Sequence, residues 1–243
     1  MTERLLSEQR AYYRARASEY DAWFLRQGRY DRGEAHKAKW EAEVAGLEQA
    51  LAAFAPTGDI LELACGTGWW TAWLSEYGAS LTAIDASPEV LELNQRRLPS
   101  ARTDYIQADL FGWKPERTFD TVFFSFWLSH VPPERFAGFW DLVRRSLNPG
   151  GRVFFIDSRY TPEATAKDHT LNSPDAHSVR RRLDDGQTFE IVKVFYEPER
   201  LEAQLGALGW RAEVGQTETF FLYGTAKPDD NVSLLEPSPP KTR

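Results

Sequence analysis

Short apolar runs alternate with amphipathic stretches through the middle of this chain. The apolar runs that predict strands lie at residues 59–63, 80–84, 103–107, 118–124 and 151–157. Helical periodicity fills the intervals, at residues 69–77, 88–97 and 133–147. This alternation is typical of βα units that build a parallel sheet with helices on both faces.

Two further segments stand outside this alternation. An aromatic and charged stretch and a predicted helix from Gly33 to Phe54 precede the first strand, and together they predict a helical lid over residues 1–55. After the fifth strand, Asp185-Gly186 lies between two alternating runs. That dipeptide favours a tight turn, so we expect an inserted β-hairpin at about residues 177–197.

The remaining segments complete the predicted domain. A helix at residues 199–208 precedes two strands, at 210–215 and 220–226. The predicted fold is α/β, a Rossmann-like doubly wound sheet over residues 56–227 that is mostly parallel with an antiparallel final strand. Residues 228–243 are rich in proline and charge, which predicts a disordered tail.

A glycine loop follows the first predicted strand, in the sequence DILELACGTGWW. Glycines at positions 66 and 68 let the backbone approach a ligand that lies across the strand ends, and the next helix offers free N–H groups there. A glycine pair of this kind also occurs in ordinary tight turns, so the loop alone does not decide the question.

Three carboxylates accompany this loop. Glu62 interrupts the apolar first strand, Asp85 ends the second strand about 20 residues further on, and Asp109 follows the third. The carboxyl ends of successive parallel strands face one crevice, so we expect these side chains to line a single ligand site.

A nicotinamide dinucleotide is one candidate ligand for such a site. Its usual fingerprint has a third glycine, and Thr71 stands at that position here. Glu62 would also repel a pyrophosphate, whereas it suits a ligand with a cationic amino group. These two residues therefore disfavour an oxidoreductase.

Composition narrows the classes of partner. The formal net charge of -7 disfavours binding to nucleic acid, which needs a basic face. The single cysteine, Cys65, allows no disulfide within the chain, and the first residues lack the apolar core of a signal peptide. No apolar run approaches the roughly 18 residues of a membrane helix. We therefore expect a cytoplasmic protein without a membrane partner.

The ordered set of motifs resembles the class I S-adenosylmethionine-dependent methyltransferases. The resemblance is to their small-molecule branch, which includes the ubiquinone and menaquinone biosynthesis methyltransferases. It extends roughly from Tyr12 to Ala226, and its motifs are ELACGTG, AIDASPEVL, YIQADL and LNPGGRVFFID. It implies transfer of a methyl group from S-adenosylmethionine to an oxygen, nitrogen or carbon atom of a flat small-molecule acceptor.

The resemblance also implies a role for individual residues. Asp85 would hold the ribose diol, Asp109 would accept from the adenine amino group, and Glu62 would orient the methionine end from behind the loop. The other residues that it places at the cofactor are Tyr12, Tyr20, Ala64, Gly66, Thr67, Gly68, Ala86, Ala108, Leu110 and Ser125.

Candidate residues for the acceptor lie in the same region. His130 follows the fourth strand, and an imidazole there is a candidate general base; the alternative is a histidine bonded to backbone. Trp23 and Trp127 are predicted to line the acceptor site. Ser125 stands where the magnesium-dependent catechol-type enzymes carry a carboxylate, so no metal is expected.

Several alternatives stay open from the sequence. The run Arg180-Arg181-Arg182 either attracts an anionic acceptor or forms a solvated strand edge. The hairpin either covers the acceptor or pairs with a second copy in a homodimer. A second function, different in class, is a protein that binds S-adenosylmethionine without methylating, as a lyase, a cyclase or an inactive relative.

Overall fold

The computed structural model describes residues 2–98 and 102–229. The predicted tail therefore lies almost entirely outside the described residues. The strands of the described part are β1 (Asp59–Leu63), β2 (Ser80–Asp85), β3 (Thr103–Gln107), β4 (Phe119–Ser125), β5 (Leu147–Ser158), β6 (Ser178–Arg182), β7 (Thr188–Val192), β8 (Trp210–Gln216) and β9 (Phe221–Pro228).

Helices surround these strands, and short 3-10 turns occur at several junctions. The α-helices of the described part are α1 (Thr2–Ala15), α2 (Tyr20–Phe24), α3 (Glu34–Phe54), α4 (Trp69–Leu74), α5 (Pro88–Arg97), α6 (Phe136–Arg145) and α7 (Pro198–Ala207). Helix α5 begins as its sequence predicts, because the Ser87 side chain accepts a hydrogen bond from the Val90 N–H and Pro88 occupies the first turn.

Seven strands form one sheet in the order β3-β2-β1-β4-β5-β9-β8. Strands β1 to β5 pair in parallel, and β9 pairs antiparallel with both β5 and β8. The order reverses between β1 and β4, which is where a doubly wound sheet opens a crevice at the carboxyl ends of its strands. The predicted doubly wound α/β fold with an antiparallel strand is confirmed.

Side chains of the central strands alternate between two apolar layers. On β4, Val122 and Phe124 pack on the layer that contains Trp140 of α6, whereas Phe123 packs on the opposite layer. That opposite layer contains Trp40 of α3. Buried parallel strands need apolar residues on both faces, which explains why β4 and β5 appear in the sequence as continuous apolar runs.

The inserted hairpin forms a separate two-stranded sheet of β6 and β7, as predicted. Helix α1 lies against this hairpin, and Tyr12 packs with Val179, Leu183 and Ile191. The hairpin therefore gives the N-terminal helix an apolar surface outside the main sheet.

Several element boundaries differ from the sequence prediction, and the clearest differences lie around α6 and β5. The predicted helix at 133–147 divides into a 3-10 turn at Pro133–Arg135 and α6, which ends at Arg145. Strand β5 begins at Leu147, because Leu147 already pairs with Phe119 before the ladder shifts and resumes at Arg152. The turn residues between them form an irregularity inside the strand and do not separate it from α6.

No helix in the part of the chain that the structure describes combines the length and the apolar character that a membrane crossing requires.

Replacing two glycines by alanine should change the stability of this fold in opposite directions. Gly46 lies within α3 with open space where a Cβ would stand, so Gly46→Ala should stabilise the protein by about 0.5–1 kcal/mol. A Cβ on Gly224 of β9 would lie 2.7 Å from both the Glu213 carbonyl oxygen and the Phe155 ring. Gly224→Ala should therefore cost about 1–3 kcal/mol. Denaturant unfolding of both variants checks this, and a Gly224→Ala variant as stable as the parent would contradict the packing.

Candidate functional site

The loop after β1 has an unusual backbone. Gly66 and Gly68 have φ angles of 57° and 95°, and Ala64 has a φ angle of 54°. The left-handed region is disfavoured for alanine because of its Cβ, so the loop holds a strained residue directly after β1. Strain of this kind persists where the surrounding structure enforces a local geometry.

The two glycines serve different purposes. A Cβ on Gly66 would project towards Tyr20, with its nearest atom at 3.7 Å, and would enter the crevice between the loop and α2. A Cβ on Gly68 would lie 2.6 Å from Oδ1 of Asn94, inside the packing between α4 and α5. Gly66 thus supplies the left-handed backbone conformation beside the crevice, whereas Gly68 allows two helices to approach each other.

Asp85, at the end of β2, is bonded to this loop. Its carboxylate accepts from the backbone N–H of Gly66 at 3.1 Å and of Ser87 at 3.0 Å. Burial raises the pKa of Asp85, and the hydrogen bonds from these N–H groups oppose that shift. The carboxylate therefore shapes the loop and faces the crevice at the same time.

Glu62 lies behind the loop and is almost completely buried, with 1% of its surface exposed. Both carboxylate oxygens lack a hydrogen-bond partner among the described residues. Burial raises the pKa of Glu62 to about 8, and the neighbouring Thr71 hydroxyl offsets only part of that rise. A buried carboxylate without a partner is costly when ionised, so the site favours an incoming positive charge.

A cavity lies over the carboxyl ends of β1 to β4, and we call it the edge cavity. It contains about 1270 Å³ of unfilled space, including its solvent-open mouth. Its floor is formed by residues from the ends of the strands, the loops that follow them and the first turn of α5, namely Ala64, Gly66, Asp85, Ala86, Ser87, Val90, Ala108, Asp109, Leu110, Phe111, Ser125, Phe126 and Trp127.

Helix α1 covers this cavity. Arg10 of α1 reaches across it and donates to Asp109 at 2.8 Å, while the other Asp109 oxygen accepts from the Phe111 N–H at 3.0 Å. Gln9 is buried and joins two parts of the molecule, because it donates to the His130 carbonyl at 3.2 Å and accepts from the Val192 N–H at 3.1 Å.

Asp21 attaches α2 to the glycine loop. One oxygen of its carboxylate accepts from the Thr67 hydroxyl at 2.7 Å and from the Trp69 indole N–H at 3.1 Å. The other oxygen pairs with Arg97 of α5. The segment before the sheet is thereby fixed directly beside the loop.

A second cavity lies beneath the hairpin, and we call it the hairpin cavity. It contains about 630 Å³ of unfilled space, including its opening. It is lined by Tyr12, Tyr13, Arg16, Tyr20, Trp23, Tyr30, Phe126, His130, Ser158, Arg159, Thr161, Ala164, Thr165, Ala166, His169, Arg181, Ile191, Lys193 and Phe195.

The two cavities share part of their lining. The residues common to both are Tyr13, Tyr20, Phe126 and His130. Phe126 has a φ angle of 52°, and its N–H donates to the Ile156 carbonyl at 2.8 Å. This strained residue therefore lies at the boundary between the cavities, held in place by the sheet.

His130 is buried at the same boundary, with both ring nitrogens engaged. Nδ1 lies 2.7 Å from the Val192 carbonyl oxygen, and Nε2 lies 2.7 Å from the Tyr13 hydroxyl. A carbonyl can only accept, so Nδ1 carries the proton and Nε2 accepts from Tyr13. The pKa of His130 lies well below its usual range, mainly because the ring is buried and secondly because Lys193 is positively charged. The imidazole is therefore neutral at neutral pH and keeps a lone pair on Nε2.

Among the described residues, no group of three or more His, Cys, Asp or Glu side chains is arranged to hold a metal ion.

Comparison with known proteins places this arrangement in a family. A family model described as "Methyltransferase domain" matches residues 60–151. A ubiquinone biosynthesis O-methyltransferase of Xanthomonas axonopodis pv. citri (strain 306) is 30% identical over 174 residues, which cover 69% of each chain. A solved structure described as "DhpI-SAH complex structure" has 39% identity and a TM-score of 0.77, and the match covers 93% of this chain and 98% of that one.

The chain belongs to the S-adenosylmethionine-dependent methyltransferases.

Other relatives match over shorter stretches. The demethylmenaquinone methyltransferase of Clavibacter sepedonicus is 37% identical over 105 residues, which cover 42% of each chain. The chain spans about half the length of the first curated relatives that it matches. The predicted resemblance to this methyltransferase family is confirmed.

The edge cavity suits the methyl donor of this family. Most residues that the sequence placed at the cofactor line this cavity, namely Tyr20, Ala64, Gly66, Asp85, Ala86, Ala108, Asp109, Leu110 and Ser125. Carboxylates at the ends of β2 and β3 can accept from ribose hydroxyls and from an adenine amino group, and apolar side chains such as Leu110 can pack on the purine ring. The roles of the individual residues stay predictions.

The remaining predicted residues are distributed between the two cavities and their surroundings. Tyr12 and Trp23 line the hairpin cavity, and Trp127 lines the edge cavity. Thr67 lies beside the edge cavity and is bonded to Asp21, while Gly68 packs against α5. Glu62 lines neither cavity, because it stays behind the loop.

Sequence reasoning missed several residues that shape the site. The sequence marks neither Asp21 nor Gln9 as a contact, and it does not pair Tyr13 with His130, because each role depends on a partner more than 40 positions away. Tyr13 was visible as one of several tyrosines at the start of the chain. No local pattern distinguishes Gln9 from other glutamines on an amphipathic helix.

Glu62 should make stability depend on pH. The folded state keeps a proton on this carboxyl up to about pH 8, whereas the unfolded chain releases it near the ordinary value of 4.5. The free energy of unfolding should therefore fall as pH rises from about 5 to 8, by at most about 1.4 kcal/mol per pH unit. The free energy of unfolding of the Glu62→Gln variant should fall less over that pH interval. Denaturant unfolding of both proteins without ligand, measured at several pH values, checks this. Parallel plots of the free energy of unfolding against pH would contradict the raised pKa.

Proposed function

We propose that this chain transfers the methyl group of S-adenosylmethionine from the edge cavity to a small-molecule acceptor in the hairpin cavity. The observation that carries this proposal is the wall that the two cavities share, where Tyr13, Phe126 and His130 line both. Reacting groups in the two cavities would approach each other at that wall. A structure described as "DhpI-SAM-HEP complex", with 40% identity, supports this division, since that protein binds a second molecule besides SAM.

S-adenosylmethionine, when bound, supplies an electrophilic methyl group on a positively charged sulfur. The residues of this chain fit its charges: Asp85 faces the cavity, and the buried carboxyl of Glu62 behind the loop can ionise when a cation binds nearby. The roof formed by α1 shields the strand ends from solvent, and Arg10 of that roof pairs with Asp109. The chain's main contribution is alignment of the acceptor atom with the methyl group.

The acceptor atom attacks the methyl carbon, the carbon–sulfur bond breaks, and S-adenosylhomocysteine is released with the methylated product. If the acceptor atom carries a proton, a base must take it. We assign that base to His130, whose Nε2 lone pair is directed at the Tyr13 hydroxyl at the shared wall. Tyr13 can pass the proton to Nε2, because its hydroxyl both donates and accepts.

The cytoplasmic location and the absence of a nucleic-acid partner stay predictions, and the homodimer stays one of the alternatives that the sequence leaves open.

Methyl transfer can be measured with S-adenosylmethionine that carries an isotopic label in its methyl group. With a panel of phenols, amines and small oxyacids, we expect label in an acceptor and one S-adenosylhomocysteine per methylated product. Asp85→Ala should weaken S-adenosylhomocysteine binding by about 1.5–3 kcal/mol, because the crevice loses a carboxylate acceptor. Asp104→Ala, at an exposed position of β3, is the matched control and should bind normally. Tight binding of the cofactor without transfer to any acceptor would instead favour a non-methylating role.

The base assignment has its own test. His130→Gln and Tyr13→Phe should each lower kcat by about 100-fold while cofactor affinity stays within about twofold. The loss should shrink as pH rises towards the acceptor's own pKa, because a deprotonated acceptor needs no base. Turnover measured against pH for the parent and both variants decides it. Parallel pH profiles would show that His130 only packs the boundary.

A further inference from the structure

The hairpin cavity has a lining with an uneven charge distribution. Four cationic side chains contribute to it, namely Arg16, Arg159, Arg181 and Lys193. No Asp or Glu side chain is part of the described lining. Arg159 is engaged by the backbone carbonyls of Thr217 and Glu218, so three cationic groups remain to be explained.

Arg16 is buried, with 9% of its surface exposed, and its Nε has no hydrogen-bond partner among the described residues. Its guanidinium lies 4.9 Å from the centre of the Tyr20 ring. No carboxylate of the described part lies within ion-pair distance of it. An aromatic face stabilises a cation but does not neutralise it.

Arg181 is the middle residue of the arginine run on β6, and it is buried with 9% exposure while Arg180 and Arg182 are exposed. The strand alternation explains this difference, because neighbouring side chains point to opposite faces. The Arg181 guanidinium lies 3.2 Å from Nδ1 of His169 and forms no ion pair with a described carboxylate. The interpretation as a solvated strand edge therefore holds for Arg180 and Arg182, whereas Arg181 is buried and needs another explanation.

Lys193 lies at the end of the hairpin and has one acidic partner. Its Nζ is 3.7 Å from Asp157, and it donates to Ser129 at 2.8 Å and to Ser158 at 3.3 Å. Burial lowers the pKa of Lys193 to about 8, the attraction of Asp157 opposes this, and the charge of Arg181 adds to the lowering. Among the described residues, Asp157 is thus the one carboxylate within ion-pair distance of Arg16, Arg181 or Lys193.

Tyrosines at the cavity cannot balance this charge. Burial raises the pKa of Tyr12, and it raises the pKa of Tyr20 to about 12, so both hydroxyls stay neutral. The adjacent edge cavity would add a further positive charge when a sulfonium is bound there. Buried cations without counter-charges are unfavourable, so the arrangement is consistent with a ligand that brings negative charge.

We propose that the hairpin cavity binds an oxyanion group of the acceptor, through Arg16, Arg181 and Lys193. Guanidinium groups suit this task because they present parallel N–H donors to a phosphate-type or carboxylate group. The acceptor class is therefore a small organic oxyacid. The identification of the bound molecule as the acceptor rests on the proposed function, whereas the oxyanion site itself does not.

Binding can be measured by calorimetry on protein saturated with S-adenosylhomocysteine. The probes are inorganic phosphate, acetate and uncharged acetamide, at an ionic strength held constant with sodium chloride. We expect phosphate or acetate to bind and acetamide not to bind. Stronger binding of phosphate would indicate a doubly charged head group, and stronger binding of acetate a carboxylate. Absence of binding by both anions, or equal binding of acetamide, would overturn the proposal.

Adjacent arginines provide a matched pair of variants. Arg181→Gln should raise the dissociation constant of the bound anion about tenfold or more, and Arg180→Gln should leave it within about twofold. Arg181→Lys should restore part of the affinity, since it keeps the charge. Equal affinity in Arg181→Gln and Arg180→Gln would refute the assignment of Arg181.

Further measurements distinguish a loss of anion binding from misfolding, and a failure of this site from a failure of the proposed function. Thermal melts and S-adenosylhomocysteine affinity report whether Arg181→Gln is folded, and if it is not, Arg16→Gln and Lys193→Gln replace it with the same expected loss. Anion binding in a protein that transfers no methyl group would support this site and contradict the proposed function. Methyl transfer to uncharged acceptors, with no anion binding, would overturn this site alone.

Discussion

The buried carboxamide of Gln9 is the interaction on which both cavities depend. It donates to the carbonyl of His130, beyond β4, and accepts from the N–H of Val192 at the end of β7. Helix α1 is thereby held over the strand ends on one side and against the hairpin on the other. Because a buried polar group that loses its partners is costly, both contacts must form together. The roof, the boundary at His130 and the hairpin are therefore one connected structure.

The two cavities differ in charge because they are built from different parts of the chain. Parallel strands end at the edge cavity, where the acidic residue Asp85 ends β2 and Asp109 follows β3. The hairpin cavity is built from α1 and the residues after it, the hairpin, and the segment after β5. Arg16 directly follows α1, whereas Arg181 and Lys193 belong to the hairpin and its end. A positively charged donor on the acidic side and an anionic acceptor on the basic side would each meet complementary charge. The boundary between them is apolar and neutral apart from hydrogen bonds of Tyr13 and His130.

Backbone strain occurs where these cavities begin. Ala64 and Phe126 both have positive φ angles, and they directly follow β1 and β4, the two central strands. These strands are buried on both faces and pair with each other, so they hold their ends rigidly. The rigid sheet can enforce a conformation that an isolated loop would leave, and the loops then present their backbone towards the ligand.

The sequence by itself determined the sheet, the hairpin and the family. Periodicity of apolar residues depends on neighbours in the chain, and motifs such as ELACGTG keep their spacing whatever surrounds them. Only the tertiary structure decided which polar residues meet. Gln9 and Val192 are 183 positions apart, and Asp21 reaches Thr67 across 46. The tertiary structure also decided that Arg181 is buried while Arg180 is exposed, because burial of a strand face depends on what packs against it. Contacts of this kind leave no local pattern, since either partner alone resembles an ordinary surface residue.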